Sequence, residues 1–249
     1  LAAGIGAVTR FEERARPFYE AAVRDALADA VADDPAWRRV LAHFDNDAAA
    51  AVALLAGMLA KRDQWLRELP RGDPDAFRAA LEATLAREID GELATIAAAV
   101  PARLAARLPH YQRYAVANAD GASHAQGIAS RLCACAEAGG VPPASVAALD
   151  DWRALASWLL VANAPQFRQK IDKHDGFPAK GTGADAAQRA ACKKGMLTLL
   201  EELAAVPGLA AALDAARHLP PPRYGDDAWS VVSALLDLLP QLATRLTLV

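Results

Sequence analysis

Residues 48–69 read AAAAVALLAGMLAKRDQWLREL, the clearest helical pattern in the chain. The larger apolar residues of this stretch recur at intervals of three, four and seven, which places them on one face of a helix. They are Val52, Leu55, Leu59, Leu66 and Leu69. Asp45-Asn46-Asp47 supplies a cap before the stretch and Pro70 a stop after it, so we expect one continuous helix.

Similar start and stop signals lie on both sides of this stretch. Asp34-Pro35 predicts a helix that stops near His43, because aspartate caps a helix and proline is tolerated at its first position. Asp73-Pro74 predicts another, which Pro101 should end. Thr9 and Glu12 have the spacing of a capping box. Further helices are predicted over residues 10–31, 128–138, 150–161, 185–206, 207–217 and 226–246.

The composition agrees with a helical fold. Of 249 residues, 54% are hydrophobic and 23% charged, the net charge is −3 and aromatics make up 6%. A chain this apolar is long enough for a sizeable core, and its many alanines favour helices over strands. We therefore expect one all-α domain over residues 1–249, an irregular fold of about 8 to 10 helices with a basic loop that contains glycine and proline.

The same features bear on compartment and chain boundaries. Three cysteines cannot form the disulfide framework of a secreted domain, which favours the cytoplasm. No stretch of about 18 apolar residues is free of charge, so no membrane span is expected. The chain starts at Leu1 and ends on the apolar run Leu246–Val249, which is typical of a piece excised from a longer protein.

One segment stands out by charge. From Asn163 to Lys194, seven cationic side chains face three aspartates, a local net charge of +4. Its middle, Asp175–Gly183, contains too much glycine and proline for a regular helix. The segment is either an ordinary solvated loop or a loop that binds nucleic-acid phosphates.

Motifs that carry chemistry are missing from the sequence. No glycine-rich loop has the spacing GxxxxGK[ST] that cradles nucleotide phosphates. His174-Asp175 has the form of one ligand pair of an HD-type phosphohydrolase, but a solvated loop explains it better since the other ligands are missing. The aspartate pairs are better explained as helix caps, and the cysteines and tryptophans as core residues. These aspartate pairs are Asp33-Asp34, Asp150-Asp151 and Asp226-Asp227. We expect no catalytic residue and no metal site.

Three short runs resemble a known family. Residues 43–47 read HFDND, residues 54–66 read LLAGMLAKRDQWL and residues 175–178 read DGFP. Together they resemble bacterial UvrD-like superfamily 1 DNA helicases, particularly the AddA/RecB-like helicase-nuclease subunits. In that family such a region is the accessory helical subdomain 1B, inserted into the first motor domain.

The resemblance implies a role without chemistry in this chain. ATP and Mg²⁺ would bind in motor domains that lie outside it, and the parent would act in DNA repair and recombination. The partners would be DNA and the rest of the helicase chain. DNA would be bound through its phosphates, without recognition of the bases. A partner subunit is left open. Candidate DNA contacts are Arg168, Lys170, Lys173, Lys180, Lys193 and Lys194.

Two alternatives stay open. Arg62 and Trp65 match the family's signature, but the apolar stripe around them favours structural roles. Trp65 is expected in the core, and Arg62 either forms a structural ion pair or borders the DNA. The chain as a whole could instead be a protein-interaction module that docks a partner subunit or the second motor domain. An exposed apolar patch away from the basic segment would favour that function.

Overall fold

The structure is a computed structural model that describes residues 15–30, 34–65, 74–121, 123–178 and 185–246. Within these ranges the fold is all-α, with ten helices of seven residues or more and no strand, which confirms the predicted class. The helices are α1 (Arg16–Asp29), α2 (Pro35–His43), α3 (Ala48–Leu59), α4 (Arg62–Trp65), α5 (Pro74–Ala99), α6 (Ala102–Ala105), α7 (Leu108–Ala117), α8 (His124–Gly127), α9 (Ala129–Glu137), α10 (Leu149–Leu159), α11 (Asp185–Ala204), α12 (Leu209–His218) and α13 (Asp226–Leu246).

Two of the predicted helix caps form as expected. The Asp34 carboxylate accepts hydrogen bonds from the backbone N–H groups of Ala36 and Trp37, at 2.8 and 3.2 Å. Asp47 accepts from Ala49 at 2.9 Å in the same way. The caps satisfy backbone donors that have no partner within the first turn of a helix.

Other aspartate pairs lie inside helices rather than at caps. α10 begins at Leu149, so Asp150 and Asp151 occupy its first turn and form ion pairs with Arg131 at 2.9 and 3.0 Å. Asp226 is likewise the first residue of α13. Acidic side chains in a first turn interact favourably with the positive end of the helix dipole. Thr9, Glu12 and Asp33 lie outside the described residues.

The prediction of one continuous helix over residues 48–69 is wrong. α3 ends at Leu59, and a single turn, α4, follows after Lys61. The Trp65 indole N–H donates to the carbonyl oxygen of Met58 at 2.7 Å, a contact made across the break between the two helices. Tertiary contacts of this kind override a periodic apolar pattern. Leu66 and Leu69 lie outside the described residues.

The described residues group into two compact units. Unit 1 comprises residues 1–81 and 223–249, and unit 2 comprises residues 82–222. The expectation that residues 1–249 form a single domain stays a prediction.

In unit 1, α13 packs against α2, and α1 packs against α3 and α13. Their shared core is aliphatic, with one tryptophan at its edge. It includes Val23, Trp37, Val40, Leu55, Leu59, Leu238 and Leu242.

In unit 2, α10 lies between α9 and α12, and α7 packs along α9. Two tryptophans and a phenylalanine fill the middle of this core together with leucines from six helices. Its buried residues include Leu93, Leu108, Leu132, Trp152, Leu155, Trp158, Phe177, Leu199 and Leu213. Trp158, which precedes the basic segment, and Phe177, which lies within it, are both anchored in this core.

No single helix in the described ranges is long and apolar enough to cross a membrane. α11 and α12 together have the length and composition of a broken span, with a bend of 95° between them. Their large apolar residues, such as Leu199 and Leu213, are buried in the core of unit 2, as in the core helices of many folded proteins.

Candidate functional site

The basic segment begins as a short hairpin directly after α10. The Val161 N–H donates to the Gln166 carbonyl at 2.9 Å, and the Arg168 N–H donates to the Leu159 carbonyl at 3.0 Å. An isolated β-bridge joins Leu160 to Phe167. We call residues 161–178 the basic loop. Its backbone is therefore tied to the end of a core helix.

Arg168 is a structural part of this loop. Its guanidinium donates to the carbonyl oxygens of Trp158 at 3.0 Å and Ser157 at 3.1 Å, and lies 3.3 Å from the Asp175 carboxylate. The last carbonyls of a helix have no partner within it, and Arg168 satisfies two of those of α10. Because its side chain is only 22% exposed, Arg168 has little surface for DNA.

Asp175 closes the turn that follows. Its carboxylate accepts from the Asp172 N–H at 3.1 Å, while the Asp172 carboxylate accepts from the His174 N–H at 2.8 Å. This reciprocal pair is a capping box around the short 3₁₀ helix Lys173–Asp175. Asp175 is 6% exposed, so the expectation of a solvated pair is wrong for it, although His174 is exposed.

Gly176 and Phe177 complete the turn and enter the core. Gly176 has a φ of +84°, and a Cβ there would lie 2.5 Å from the backbone of Ala115. Phe177, 1% exposed, stacks on Trp158 with ring centroids 6.4 Å apart and lies 5.5 Å from the Tyr114 ring. The DGFP run thus has a structural role in unit 2, because Phe177 packs in its hydrophobic core.

The lysines of the predicted site divide into three groups. Lys170 and Lys173 are exposed on the basic loop. On α11, Lys193 is half-buried and Lys194 is exposed. None of these four lysines forms an ion pair with another described residue. Lys180 lies outside the described residues.

A groove of about 600 Å³ separates the basic loop from α11 and α12. Residues 165–169 form one wall, and Leu197, Leu200 and Glu201 are on the other. Lys193 and Lys194 precede Leu197 by one helical turn, and Lys170 directly follows the loop wall. Lys170 and Lys194 thus lie close in sequence to the walls of this groove, although none of the four described lysines lines it.

A second cavity, of about 470 Å³, has a cationic lining that could not be expected from the sequence. Arg153, Arg168 and Arg217 line it together with His124 and Ser157. These residues come from three helices and the basic loop, so no sequence spacing relates them. We call this cavity the arginine pocket.

Arg217 is fixed in the lining of the arginine pocket by several polar contacts. Its guanidinium donates to the carbonyls of Ala156 and Val161, both at 2.9 Å, and pairs with Asp214 at 3.1 Å. Arg217 and Arg168 therefore satisfy neighbouring carbonyls at the end of α10. His124 lies on the same pocket, and its pKa is lowered by burial first and then by the charge of Arg168. The imidazole is thus neutral near pH 7.

The other candidate chemical groups lie apart from one another. Cys135 is buried, and burial raises the pKa of its thiol to about 12. Cys192 is also buried and its sulfur lies 3.9 Å from the His110 ring. No group of three or more His, Cys, Asp or Glu side chains within the described ranges could hold a metal ion.

Arg62 and Trp65 make structural contacts in unit 1. The Arg62 guanidinium donates to the Tyr19 hydroxyl at 3.1 Å and lies over its ring. Trp65 is half-buried and packs against the core of the unit. Both positions agree with the structural interpretation.

Comparison of the chain with protein-family models, curated proteins and solved structures finds no match. The functional interpretation therefore rests on the residues and their geometry.

Proposed function

We propose that this chain is an accessory, DNA-contacting helical subdomain of an ATP-dependent DNA helicase, of the AddA/RecB-like helicase-nuclease type, that acts in DNA repair and recombination. The chain itself has no catalytic role. ATP and Mg²⁺ bind in motor domains of the same longer protein, in the cytoplasm. The basic loop and α11 contact DNA phosphates without reading bases.

The observation that carries the proposal is the exposure of Lys170 and Lys173 on a loop whose backbone is fixed. Arg168 and Asp175 tie this loop to α10, so the backbone that carries the two lysines is held in place before any ligand arrives. Fixed cations lose less conformational entropy on binding than cations on a mobile tail. Phosphate contacts of this kind position DNA and carry no sequence information.

The proposal takes only some of the candidate residues as direct DNA contacts. Arg168 is occupied by helix carbonyls and Asp175, so its main role is to support the loop. The direct contacts in the proposal are Lys170, Lys173 and Lys194, with the half-buried Lys193 behind them. With few contacts and a net charge of −3, the affinity should be low and sensitive to salt.

A second function, docking of a protein partner, is supported by unit 1. Phe18 and Leu54 are 45% and 40% exposed, the two largest exposed hydrophobic side chains of the described residues. A groove of about 480 Å³ between α1 and α3 has apolar side chains such as Leu27 and Val52 on its walls. A partner subunit or the second motor domain would bury these groups.

Fluorescence anisotropy with labelled forked, duplex and single-stranded DNA at low salt tests the proposal. We expect weak binding to at least one of these DNAs, and loss of most of it in the double variant Lys170→Ala/Lys173→Ala. The charge-matched control is Lys61→Ala/Arg103→Ala, which removes two exposed cations elsewhere and should bind like the parent. Equal loss in both variants, or no binding by the parent, would favour the docking function.

A further inference from the structure

The arginine pocket has the size and position of a small-molecule site. It lies where the C-terminal end of α10 meets α8, α12 and the basic loop, all within unit 2. Its volume of about 470 Å³ falls within the range of known ligand sites. The lining residues are His124, Arg153, Ser157, Ala162, Arg168 and Arg217.

Cationic side chains line the pocket, although ion pairs with aspartates balance their charge. Each of its three arginines forms an ion pair with an aspartate, namely Asp150, Asp175 or Asp214. None of these aspartates is among the lining residues. The charged groups that line the cavity are therefore all cationic, and the paired carboxylates are not part of the lining.

Several polar atoms of this lining have no partner within the described part of the fold. Arg217 Nε and His124 Nδ1 are buried, and neither has a hydrogen-bond partner among the described residues. Arg153 uses its guanidinium for Asp150 and the Leu219 carbonyl only, which leaves three of its five N–H groups. Buried polar groups without partners are rare in folded proteins and need an explanation.

Capping of α10 explains only part of this arrangement. Arg168 and Arg217 satisfy carbonyls of the helix end, but Arg153 and His124 do not bond to any of them. Guanidinium groups bind carboxylates and phosphates through paired N–H donors, and a phosphate offers enough oxygens for several arginines at once. The Ser157 hydroxyl adds a neutral donor beside them.

We propose that the arginine pocket binds a phosphate-type oxyanion, either inorganic phosphate or the phosphate group of a small phosphorylated molecule. Arg153 donates N–H bonds to its oxygens, the guanidinium groups of Arg168 and Arg217 add positive charge beside it, and the Ser157 hydroxyl completes the set. This inference does not rest on the proposed DNA contact, since Lys170 and Lys173 are not in the pocket lining.

Isothermal titration calorimetry with inorganic phosphate and with phenyl phosphate, against chloride at matched ionic strength, tests this site. We expect saturable binding of at least one, and an affinity about tenfold lower in Arg153→Gln, which loses one charged donor. Arg103→Gln removes a 74% exposed arginine of the same unit and should bind as the parent does. Tighter binding of phenyl phosphate would identify a phosphomonoester, and tighter binding of inorganic phosphate the free ion.

A spectroscopic readout separates direct contact from a general charge effect. The ring resonances of His124, assigned with His124→Gln, should shift on addition of phosphate but not chloride. Lys170→Ala/Lys173→Ala should keep full phosphate binding, so this site and the DNA contact can fail separately. No saturable binding at millimolar phosphate, unmoved His124 resonances, or equal losses in Arg153→Gln and Arg103→Gln would overturn the proposal.

Discussion

Gly176 is the residue on which the shape of the basic loop depends most. Its φ of +84° lies in the left-handed region, and a Cβ would meet the Ala115 backbone at 2.5 Å. Gly176→Ala should lower the free energy of unfolding by about 2 kcal/mol or more, through backbone strain and overpacking. Urea denaturation measures this change.

Gly91→Ala in α5 is the matched control for this substitution. Gly91 is helical and an added Cβ would meet nothing within 4 Å. The change should stabilise the protein by about 0.5–1 kcal/mol, since alanine loses less entropy in a helix. If both variants changed stability alike, the fixed turn at Gly176 would be contradicted.

His124 gives unit 2 a dependence on pH. Burial, Arg168 and Arg217 lower its pKa in the folded state, and Asp175 opposes them only in part. Below the unfolded pKa of about 6.5, the unfolded chain therefore binds a proton that the folded protein does not. This contribution destabilises the fold as the pH falls below about 6.5, until the folded pKa is reached.

His124→Gln removes this contribution. We expect its free energy of unfolding, measured in urea from pH 7.5 to 5, to fall less with acidification than that of the parent. His174→Gln changes an exposed histidine of the same unit and is the control. A parent-like slope in His124→Gln would contradict the neutral, buried imidazole.

Cys135 should be protected in the folded protein. It is fully buried and burial raises its thiol pKa to about 12, so almost no reactive thiolate is present at pH 8. Iodoacetamide followed by mass spectrometry should leave Cys135 unmodified in buffer and modify it in urea. Equal rates in the two conditions would show that the packing of α9 on α10 is wrong.

At the scale of elements, the end of α10 depends on two arginines from outside it. Arg217 is 12% exposed and donates to carbonyls of Ala156 and Val161. Arg217→Gln should cost about 2–3 kcal/mol, because buried carbonyls lose charged hydrogen-bond donors. Arg103→Gln, an exposed pair with Glu202, should cost less than about 1 kcal/mol.

Thermal and urea unfolding of both variants measure this difference. The outcome that contradicts the described geometry is a similar, small loss in Arg217→Gln and Arg103→Gln. The carbonyls of α10 would then be satisfied by water.

Elements with local signals could be predicted from sequence. α2 and α3 begin at Asp–Pro and aspartate caps whose partners lie within three residues. The apolar pattern that predicts a helix is weaker in α7, because one of its buried residues is the polar Gln112. The Gln112 amide donates to the Gly140 carbonyl at 2.8 Å. The break after Leu59 depends on Trp65 and Arg62, and the Arg62 contact with Tyr19 is distant in sequence.

At the scale of the whole molecule, the fold class could be predicted from composition, because the preference of alanine for helices is a local property of the chain. The basic loop could be predicted as a charged, irregular segment. Its division into a structural Arg168 and exposed lysines could not, because α10 carbonyls and Asp175 decide it. The arginine pocket had no sequence signal, since α8, α10 and α12 bring its residues together.

The salt dependence of DNA binding tests the central claim most directly. Each phosphate contact contributes a slope of about −0.7 to −0.9 in log K against log salt. Removal of Lys170 and Lys173 should therefore reduce the slope of the parent by about 1.4 to 1.8 in magnitude. The control Lys61→Ala/Arg103→Ala should keep the parent slope. A slope unchanged by loss of the loop lysines, or equally reduced in the control, would contradict a DNA contact at the basic loop.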